Sequence, residues 1–180
     1  MSIHTLCKPR PSVFVADRRA TVLNLDTFLK GEVNGPEFFK ENFFTNGMIT
    51  LVDRAFRHLG GAGVGSSVFL LSQAMGGGKT HSMIALGLLA RDPDLRRKVL
   101  EEKNPAPELG RSRVVGFNGR STDAAGGIWG SLADQLGKAD LFARYVSPLL
   151  NAPGPEAWKQ LLGGEPLVLF LDELPFYLEY

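Results

Sequence analysis

A glycine-rich turn between an apolar run and a helical segment constrains this chain more than any other feature. The apolar run covers Ser67 to Leu71 and is typical of a central parallel strand that is covered on both faces. Residues 81–91 carry apolar side chains at helical spacing. The sequence Gly76-Gly77-Gly78-Lys79-Thr80 lies between them and follows the end of the pattern G-x-x-x-x-G-K-S/T. This order predicts a strand, a phosphate-binding loop and a helix.

The chemistry of such a loop assigns a role to each residue type. Backbone N–H groups converge on phosphate oxygens, because glycine permits the tight turn and the close approach of the backbone. The positive end of the following helix adds to the attraction. We expect Lys79 to reach the β- and γ-phosphates as a catalytic residue and the Thr80 hydroxyl to bind Mg²⁺. The predicted nucleotide-binding residues are Gln73, Ala74, Met75, Gly76, Gly77, Gly78, Lys79, Thr80 and His81.

The loop departs from the pattern at its first position, where Gln73 replaces glycine. The glycines are instead grouped directly before Lys79, so we expect the departure to alter the shape of the loop more than its function. A helix-capping turn with a solvated lysine is the alternative interpretation, and the flanking strand and helix argue against it. His81 is expected to pack or to support the site rather than to act as a catalyst.

A second apolar run ends in an acidic pair. Residues 166–171 predict a buried strand, and Asp172 and Glu173 follow it directly. The carboxyl ends of parallel strands are where ligands bind in such sheets. We expect Asp172 to hold Mg²⁺, directly or through water, and Glu173 to orient and polarise the attacking water. The alternative is an acidic pair that caps the following helix.

The rest of the chain alternates between helical and strand patterns. Helices are predicted at Thr45–Leu59, at Leu95–Lys103 with a charged, solvent-facing surface, and at 126–136, and a strand is predicted at 113–117. The alternation indicates an α/β fold with a parallel sheet. Together with the loop and the acidic pair, it predicts a three-layer P-loop NTPase sandwich that is incomplete at its C-terminal end.

The first forty residues are mixed in character. Val13–Ala20 is compatible with a short strand or a first turn, 21–30 with a short helix, and Asn34-Gly35-Pro36 with a turn. We therefore predict a mainly helical appendage over residues 1–40 and the nucleotide-binding domain over residues 41–180.

Composition excludes several classes of protein. The chain has 20 basic and 19 acidic residues, so no overall field attracts nucleic acid or an anionic membrane, and no direct nucleic-acid site is evident. Its single cysteine, Cys7, cannot form an internal disulfide. We find neither a signal-peptide pattern nor an apolar run of about 20 residues, which a membrane span requires. The expected location is the cytoplasm.

Several longer segments resemble one family. They are residues 43–48 (FFTNGM), 72–91 (SQAMGGGKTHSMIALGLLAR), 116–120 (GFNGR), 127–138 (GIWGSLADQLGK), 153–164 (PGPEAWKQLLGG) and 167–180 (LVLFLDELPFYLEY). The family consists of large bacterial P-loop ATPases of formally unknown function that are similar to AAA-type ATPases. Its members are often encoded beside DNA methyltransferases in phage-defence or modification clusters. The resemblance, from Phe38 to Tyr180, implies ATP and Mg²⁺ as ligands and a role in defence against foreign DNA.

The resemblance also implies a gap. In ATPases with this acidic pair, a later strand usually lies between the strand before the phosphate loop and the strand before Asp172. The chain ends at Tyr180, so we expect a fragment that lacks this strand, its polar sensor residue, the lid and any arginine finger. Unpaired strand edges in the middle of the sheet should make such a chain marginally stable and prone to self-association.

Three functions are compatible with the motifs. The favoured function is ATP hydrolysis that drives a larger machine, with DNA-modification proteins as partners. A small-molecule kinase usually lacks a glutamate that activates water, so Glu173 argues against that class. A module that binds ATP without turnover remains open. A GTPase is disfavoured, because the chain has no Asn-Lys-x-Asp sequence. Arg120 is expected to contact a phosphate or a neighbouring subunit, or to be a solvated residue at the end of a strand.

Overall fold

The computed structural model describes residues 14, 23–63, 66–72, 76–120, 126–146 and 152–178. The helices within these ranges are α1 (Leu25–Leu29), α2 (Gly35–Glu41), α3 (Asn46–Leu59), α4 (Lys79–Arg91), α5 (Pro93–Leu100), α6 (Gly127–Gln135), α7 (Ala139–Phe142), α8 (Pro155–Leu162) and α9 (Leu174–Leu178). The strands are β1 (Arg113–Asn118) and β2 (Leu167–Asp172), and short 3₁₀ turns follow α5 and α7. The prediction over Val13–Ala20 lies outside the described residues except for Phe14.

The two strands form a parallel pair. Their register runs from Arg113 opposite Leu167 to Asn118 opposite Asp172. Both strands were predicted, and both end one residue or less from the predicted position. Because they are parallel and in register, the last residues of β1 and β2 lie at the same edge of the sheet.

A side chain covers the outer edge of β1. Gln135, at the end of α6, donates from Nε2 to the carbonyl of Gly116 at 2.8 Å, and its Oε1 accepts from the Gly116 N–H at 3.0 Å. The carboxamide thus satisfies the two backbone groups that a further strand would need. Since β2 occupies the other edge of β1, a third strand could join this sheet only beyond β2.

The prediction of a buried strand at Ser67–Leu71 was wrong for the structure described. This segment forms no ladder with the described strands, and Val68 and Leu70 are 79% and 89% exposed. Leu71 alone packs against the core. An extended segment becomes a strand only when a neighbour pairs with its backbone, and β2 does not pair with this one. Apart from Leu71, the side chains of this segment are therefore exposed.

Helices cover both faces of the β1–β2 pair. Val114 and Phe170 face a core formed with α1 to α5, whereas Val115 and Phe117 face a second core formed with α6 to α8. The alternation follows from the pleat, which directs successive side chains to opposite faces. Trp129 and Trp158 pack edge to face against the second core with ring centroids 5.7 Å apart.

The N-terminal helices belong to the first core. Leu25 and Phe28 of α1 are almost fully buried, and Phe38 of α2 is buried against the same cluster. Arg91, at the end of α4, donates to the carbonyl of Phe28 at 2.9 Å and to that of Val114 at 3.2 Å. The domain boundary predicted at residue 40 falls near the end of α2, and the residues on both sides of it belong to one core.

The predicted turn at Asn34-Gly35-Pro36 is instead the beginning of α2. Asn34 Oδ1 accepts a hydrogen bond from the Glu37 N–H at 3.0 Å, and Pro36 lies in the first turn. Asparagine at the N-cap and proline in the first turn are both favoured at helix starts. The same residues that break a helix therefore begin one here.

Helix α5 was expected to be solvent-facing, and this was wrong on one side. Leu95 is buried, and Arg96 has no exposed surface. The Arg96 guanidinium donates to the carbonyls of Leu89, Leu109 and Gly110 and lies 4.9 Å from the centroid of the Phe56 ring. Burial lowers the pKa of Arg96. Arg96 can thus be buried despite its charge, because backbone carbonyls accept hydrogen bonds from its guanidinium.

Membrane insertion finds no support in this part of the chain. Within the ranges that the structure describes, the helices fall short of the length and apolar character that crossing a bilayer demands.

Candidate nucleotide-binding site

Two glycines shape the turn that precedes α4. Gly76 and Gly78 both have φ values of +78°. This left-handed backbone conformation is strained for residues with a Cβ atom, so the expectation that glycine is needed here is confirmed at both positions. The predicted residues Gln73, Ala74 and Met75 lie outside the described residues.

Helix α4 begins at Lys79, directly after this turn. Its N-cap is Gly78, which has no side chain to accept hydrogen bonds from the first N–H groups of the helix. Ser82 closes the first turn, since its N–H donates to the Gly78 carbonyl at 2.9 Å. A glycine-rich turn followed by a helix N-terminus without a side-chain cap is the arrangement that binds phosphate in many proteins.

The Thr80 hydroxyl contacts the acidic pair. Its Oγ1 donates to Asp172 Oδ2 at 2.8 Å, across 92 residues of sequence. Asp172 Oδ1 in turn accepts from the Glu173 N–H at 3.1 Å. The first turn of α4 and the end of β2 therefore meet, which brings together the two residues that were expected to hold Mg²⁺.

The chemistry of these oxygens fits a magnesium ion. Mg²⁺ prefers hard oxygen ligands and is usually held by one or two protein groups together with phosphate oxygens and water. Thr80 and Asp172 supply a hydroxyl and a carboxylate at one point. The described segments contain no group of three or more histidine, cysteine or acidic residues that could hold a metal by themselves. The arrangement therefore suits an ion that arrives with a phosphate ligand.

Glu173 has an unusual backbone and a charged partner. Its φ is +53°, a region that residues other than glycine adopt uncommonly and that is often found at functional sites. Its carboxylate Oε2 lies 3.7 Å from Arg120 Nε. The guanidinium of Arg120 also lies 4.4 Å from the centroid of the Phe176 ring. Of the roles considered for Arg120, the structure matches that of an exposed residue at the end of a strand, here paired with Glu173.

Residues at the end of β1 contact the backbone of the acidic pair and helix α1. The Gly119 N–H donates to the Asp172 carbonyl at 2.8 Å, and a Cβ atom at position 119 would overlap the backbone carbonyl of Glu173. Asn118 donates from Nδ2 to Asp26 Oδ2 of α1 at 2.7 Å. The sequence gave no site role to Asn118 and Gly119, although their position at the end of a strand adjacent to β2 could have indicated this support.

A cavity of about 310 Å³ borders the glycine-rich turn. Gly77, Gly78 and His81 form one side, and the segment from Asn42 to Leu51 forms the other. His81 packs against Phe38 with ring centroids 6.1 Å apart, in agreement with the packing role expected for it. The sequence gave no site role to residues 42–51, because only their helical stripe was considered. The signal that could have found them is Phe43, an aromatic residue that precedes the stripe.

Comparison with known proteins gives a partial match. The family model described as the DUF499 N-terminal domain matches residues 30–109, a little under half of the chain. The matched part contains Lys79, Thr80 and the whole lining of the cavity, but neither Asp172 nor Glu173. No curated protein and no solved structure matches the chain significantly.

Proposed function

We propose that this chain binds Mg-ATP and hydrolyses it. The observation that carries the proposal is the 2.8 Å hydrogen bond from Thr80 Oγ1 to Asp172 Oδ2. It joins a glycine-rich turn at a helix N-terminus to an acidic pair at the end of a parallel strand, and these are the two halves of a phosphoryl-transfer site.

Nucleotide binding would use both backbone groups and side chains. Gly76 and Gly78 give the turn its left-handed conformation, and no side chain caps the N-terminus of α4, where the phosphates would lie. Lys79, the first residue of α4, would add a positive charge at the terminal phosphates. Thr80 and Asp172 would hold the magnesium ion, which when bound neutralises charge on the phosphate oxygens.

Hydrolysis would depend on Glu173. Its carboxylate would accept a hydrogen bond from a water molecule and direct the water oxygen at the γ-phosphorus. As the new bond to phosphorus forms, the bond to the ADP oxygen breaks, and ADP and phosphate leave. Lys79 would stabilise the negative charge that the reaction shifts toward the leaving oxygen.

A second candidate is a module that binds ATP without turning it over. The ion pair of Arg120 with Glu173 favours it, because a carboxylate held by a guanidinium is less available to water. In this case nucleotide binding alone would change the conformation of the chain. A small-molecule kinase has no comparable support, because such kinases usually lack a glutamate that activates water, and here Glu173 follows Asp172.

The wider role is proposed from the resemblance of the motifs alone. A P-loop ATPase of this kind would power a larger cytoplasmic machine that works with DNA-modification proteins. Its role would include defence against phage. The formal charge of +1 provides no general attraction for DNA, so such a role would reach DNA through partner proteins.

Two variants test hydrolysis against binding. A thermal melt should show added stability with Mg-ATP, about 2.7 kcal/mol at a hundredfold excess over the dissociation constant. Lys79→Ala should abolish this gain, whereas Glu173→Gln should keep it and lose steady-state phosphate release. Equal turnover by the wild type and Glu173→Gln would exclude the hydrolytic role of Glu173 and leave the binding module. A cooperative melt without any response to Mg-ATP would contradict both functions.

A further inference from the structure

The cavity beside the glycine-rich turn has the size and lining of a small-molecule site. Its volume of about 310 Å³ is at the lower end of the range for ligand pockets, about 300–1,000 Å³. Met48 and Leu51 of α3 and Leu71 give it an apolar floor. Gly77 and Gly78 form part of the wall, so whatever occupies the cavity lies directly next to the predicted phosphate position.

An aromatic side chain at the cavity has little protein contact. Phe43 borders the cavity and is 84% exposed, although the neighbouring aromatic residues Phe39 and Phe44 pack with each other at a centroid distance of 5.8 Å. An exposed phenyl ring at the rim of an apolar pocket offers a flat surface on which a planar ligand can stack. An aromatic side chain can stack on any nucleic-acid base, because each base has a π-face.

Asn42 places an oriented polar group at the same cavity. Its Nδ2 donates to the carbonyl of Phe38 at 2.8 Å at the end of α2. Because a carbonyl can only accept, this bond identifies which end of the carboxamide is nitrogen. The Oδ1 atom is the remaining end of that amide, and it can accept a hydrogen bond from a donor in the cavity.

We propose that this cavity receives the adenine base of the nucleotide, with Phe43 stacked on the ring and Asn42 reading its edge. The inference rests on the proposed function, since it needs phosphates at the glycine-rich turn. Adenine presents an amino group at C6, which can donate to Asn42 Oδ1. Guanine presents a carbonyl oxygen at the same place, and two acceptors would then face each other. Phe43 thus holds the base without selecting it, and Asn42 is the specificity-determining residue for ATP over GTP.

The test compares ligands that do and do not contain a base. Binding of Mg-ATP, Mg-GTP and magnesium tripolyphosphate is measured by calorimetry for the wild type and for Phe43→Ala. We expect Phe43→Ala to weaken Mg-ATP binding by about tenfold, the loss of one stacked base, and to leave tripolyphosphate unchanged. Ile49→Ala is the matched control, because Ile49 is also exposed and follows Met48 but is outside the cavity lining.

Asn42→Leu supplies the second arm. The wild type should prefer Mg-ATP to Mg-GTP by about tenfold or more, and the variant should bring the two affinities together. The proposal is overturned if Phe43→Ala binds Mg-ATP as the wild type does while Lys79→Ala binds neither ATP nor tripolyphosphate. In that outcome the phosphate site stands and the base lies elsewhere. If the wild type binds neither compound, the proposed function and the base site fail together.

Discussion

Arg120 and Glu173 form an ion pair at the carboxyl ends of two adjacent parallel strands, with Arg120 Nε 3.7 Å from Glu173 Oε2. Arg120 follows β1 by two residues, and Glu173 directly follows β2. The pair therefore spans the edge of the sheet at which Thr80 meets Asp172. In the proposed hydrolysis the Glu173 carboxylate would contact the attacking water, and in the structure it pairs with the Arg120 guanidinium.

Removing the guanidinium should release Glu173. Exposed ion pairs are worth about 0.2–1 kcal/mol, so we expect Arg120→Ala to raise ATP turnover by a factor of about two to five with unchanged ATP affinity. The measurement is steady-state phosphate release at saturating Mg-ATP. The double variant Arg120→Ala with Glu173→Gln should lose this gain. A fall in turnover for Arg120→Ala alone would show that Arg120 supports the reaction rather than restraining Glu173.

Gly119 controls the position of the acidic pair. A Cβ atom at this position would overlap the Glu173 carbonyl and crowd Leu174. Gly119→Ala should therefore lower the free energy of unfolding by about 1–3 kcal/mol, as overpacked sites do, and should reduce ATP turnover. Gly110→Ala is the matched control, because a Cβ atom there meets open space. Urea denaturation and phosphate release measure the two effects, and equal behaviour of the two variants would contradict this account.

The Thr80 hydroxyl can be separated from the shape of its side chain. Thr80→Ser keeps the oxygen that contacts Asp172, whereas Thr80→Val keeps the branched shape and removes the oxygen. We expect Thr80→Val to need at least about tenfold more Mg²⁺ for half-maximal turnover, in line with the loss of a hydrogen bond to a charged group. Thr80→Ser should resemble the wild type. The measurement is phosphate release as a function of Mg²⁺ concentration. A normal Mg²⁺ requirement for Thr80→Val would contradict the proposed role of Thr80 as a metal ligand.

The sequence predicted the elements whose patterns are local. Helix α3 and both strands appear within one or two residues of their predicted bounds, because apolar spacing and glycine stops are properties of short segments. Thr80 and Asp172 were both expected to bind Mg²⁺, and the structure brings their side chains together. Their role in a metal site stays a prediction.

Features that depend on a distant partner were not predictable in this way. The apolar run at Ser67–Leu71 has strand composition, but pairing depends on a neighbouring strand that its own residues do not encode. Arg96 was assigned to a solvent-facing helix, because burial of its head group requires carbonyls from two other segments. The cavity at Asn42 and Phe43 likewise exists only once α2, α3 and the glycine-rich turn are together.

Two adjacent arginines offer a direct test of the burial of Arg96. Arg96 donates to carbonyls inside the protein, whereas Arg97 forms an exposed ion pair with Asp94. Arg96→Ala should lower the free energy of unfolding by about 2–4 kcal/mol, because it removes packing and leaves buried carbonyls without donors. Arg97→Ala should change it by no more than about 0.5 kcal/mol. Urea denaturation at neutral pH measures both, and similar losses would contradict the buried role of Arg96.

The open edge of the sheet predicts self-association. Gln135 blocks the outer edge of β1, so the free edge of the described sheet belongs to β2, where Leu169 and Leu171 are partly exposed. Val68 and Leu70 add apolar surface in the exposed segment before the glycine-rich turn. Unpaired strand edges and exposed apolar side chains together favour pairing between chains.

A charge substitution should weaken that association. We expect the apparent mass of the wild type to rise with concentration in sedimentation experiments, and Val68→Lys with Leu70→Lys to shift the rise to at least about tenfold higher concentration, because lysine is a residue that natural edge strands use against pairing. Ile49→Lys is the control, since Ile49 is an exposed apolar residue on helix α3. If Ile49→Lys reduces association as strongly as the double variant, general surface hydrophobicity rather than the exposed segment before the glycine-rich turn brings the chains together. A monomer at all concentrations that also melts cooperatively at high temperature would show that the open edge carries no cost.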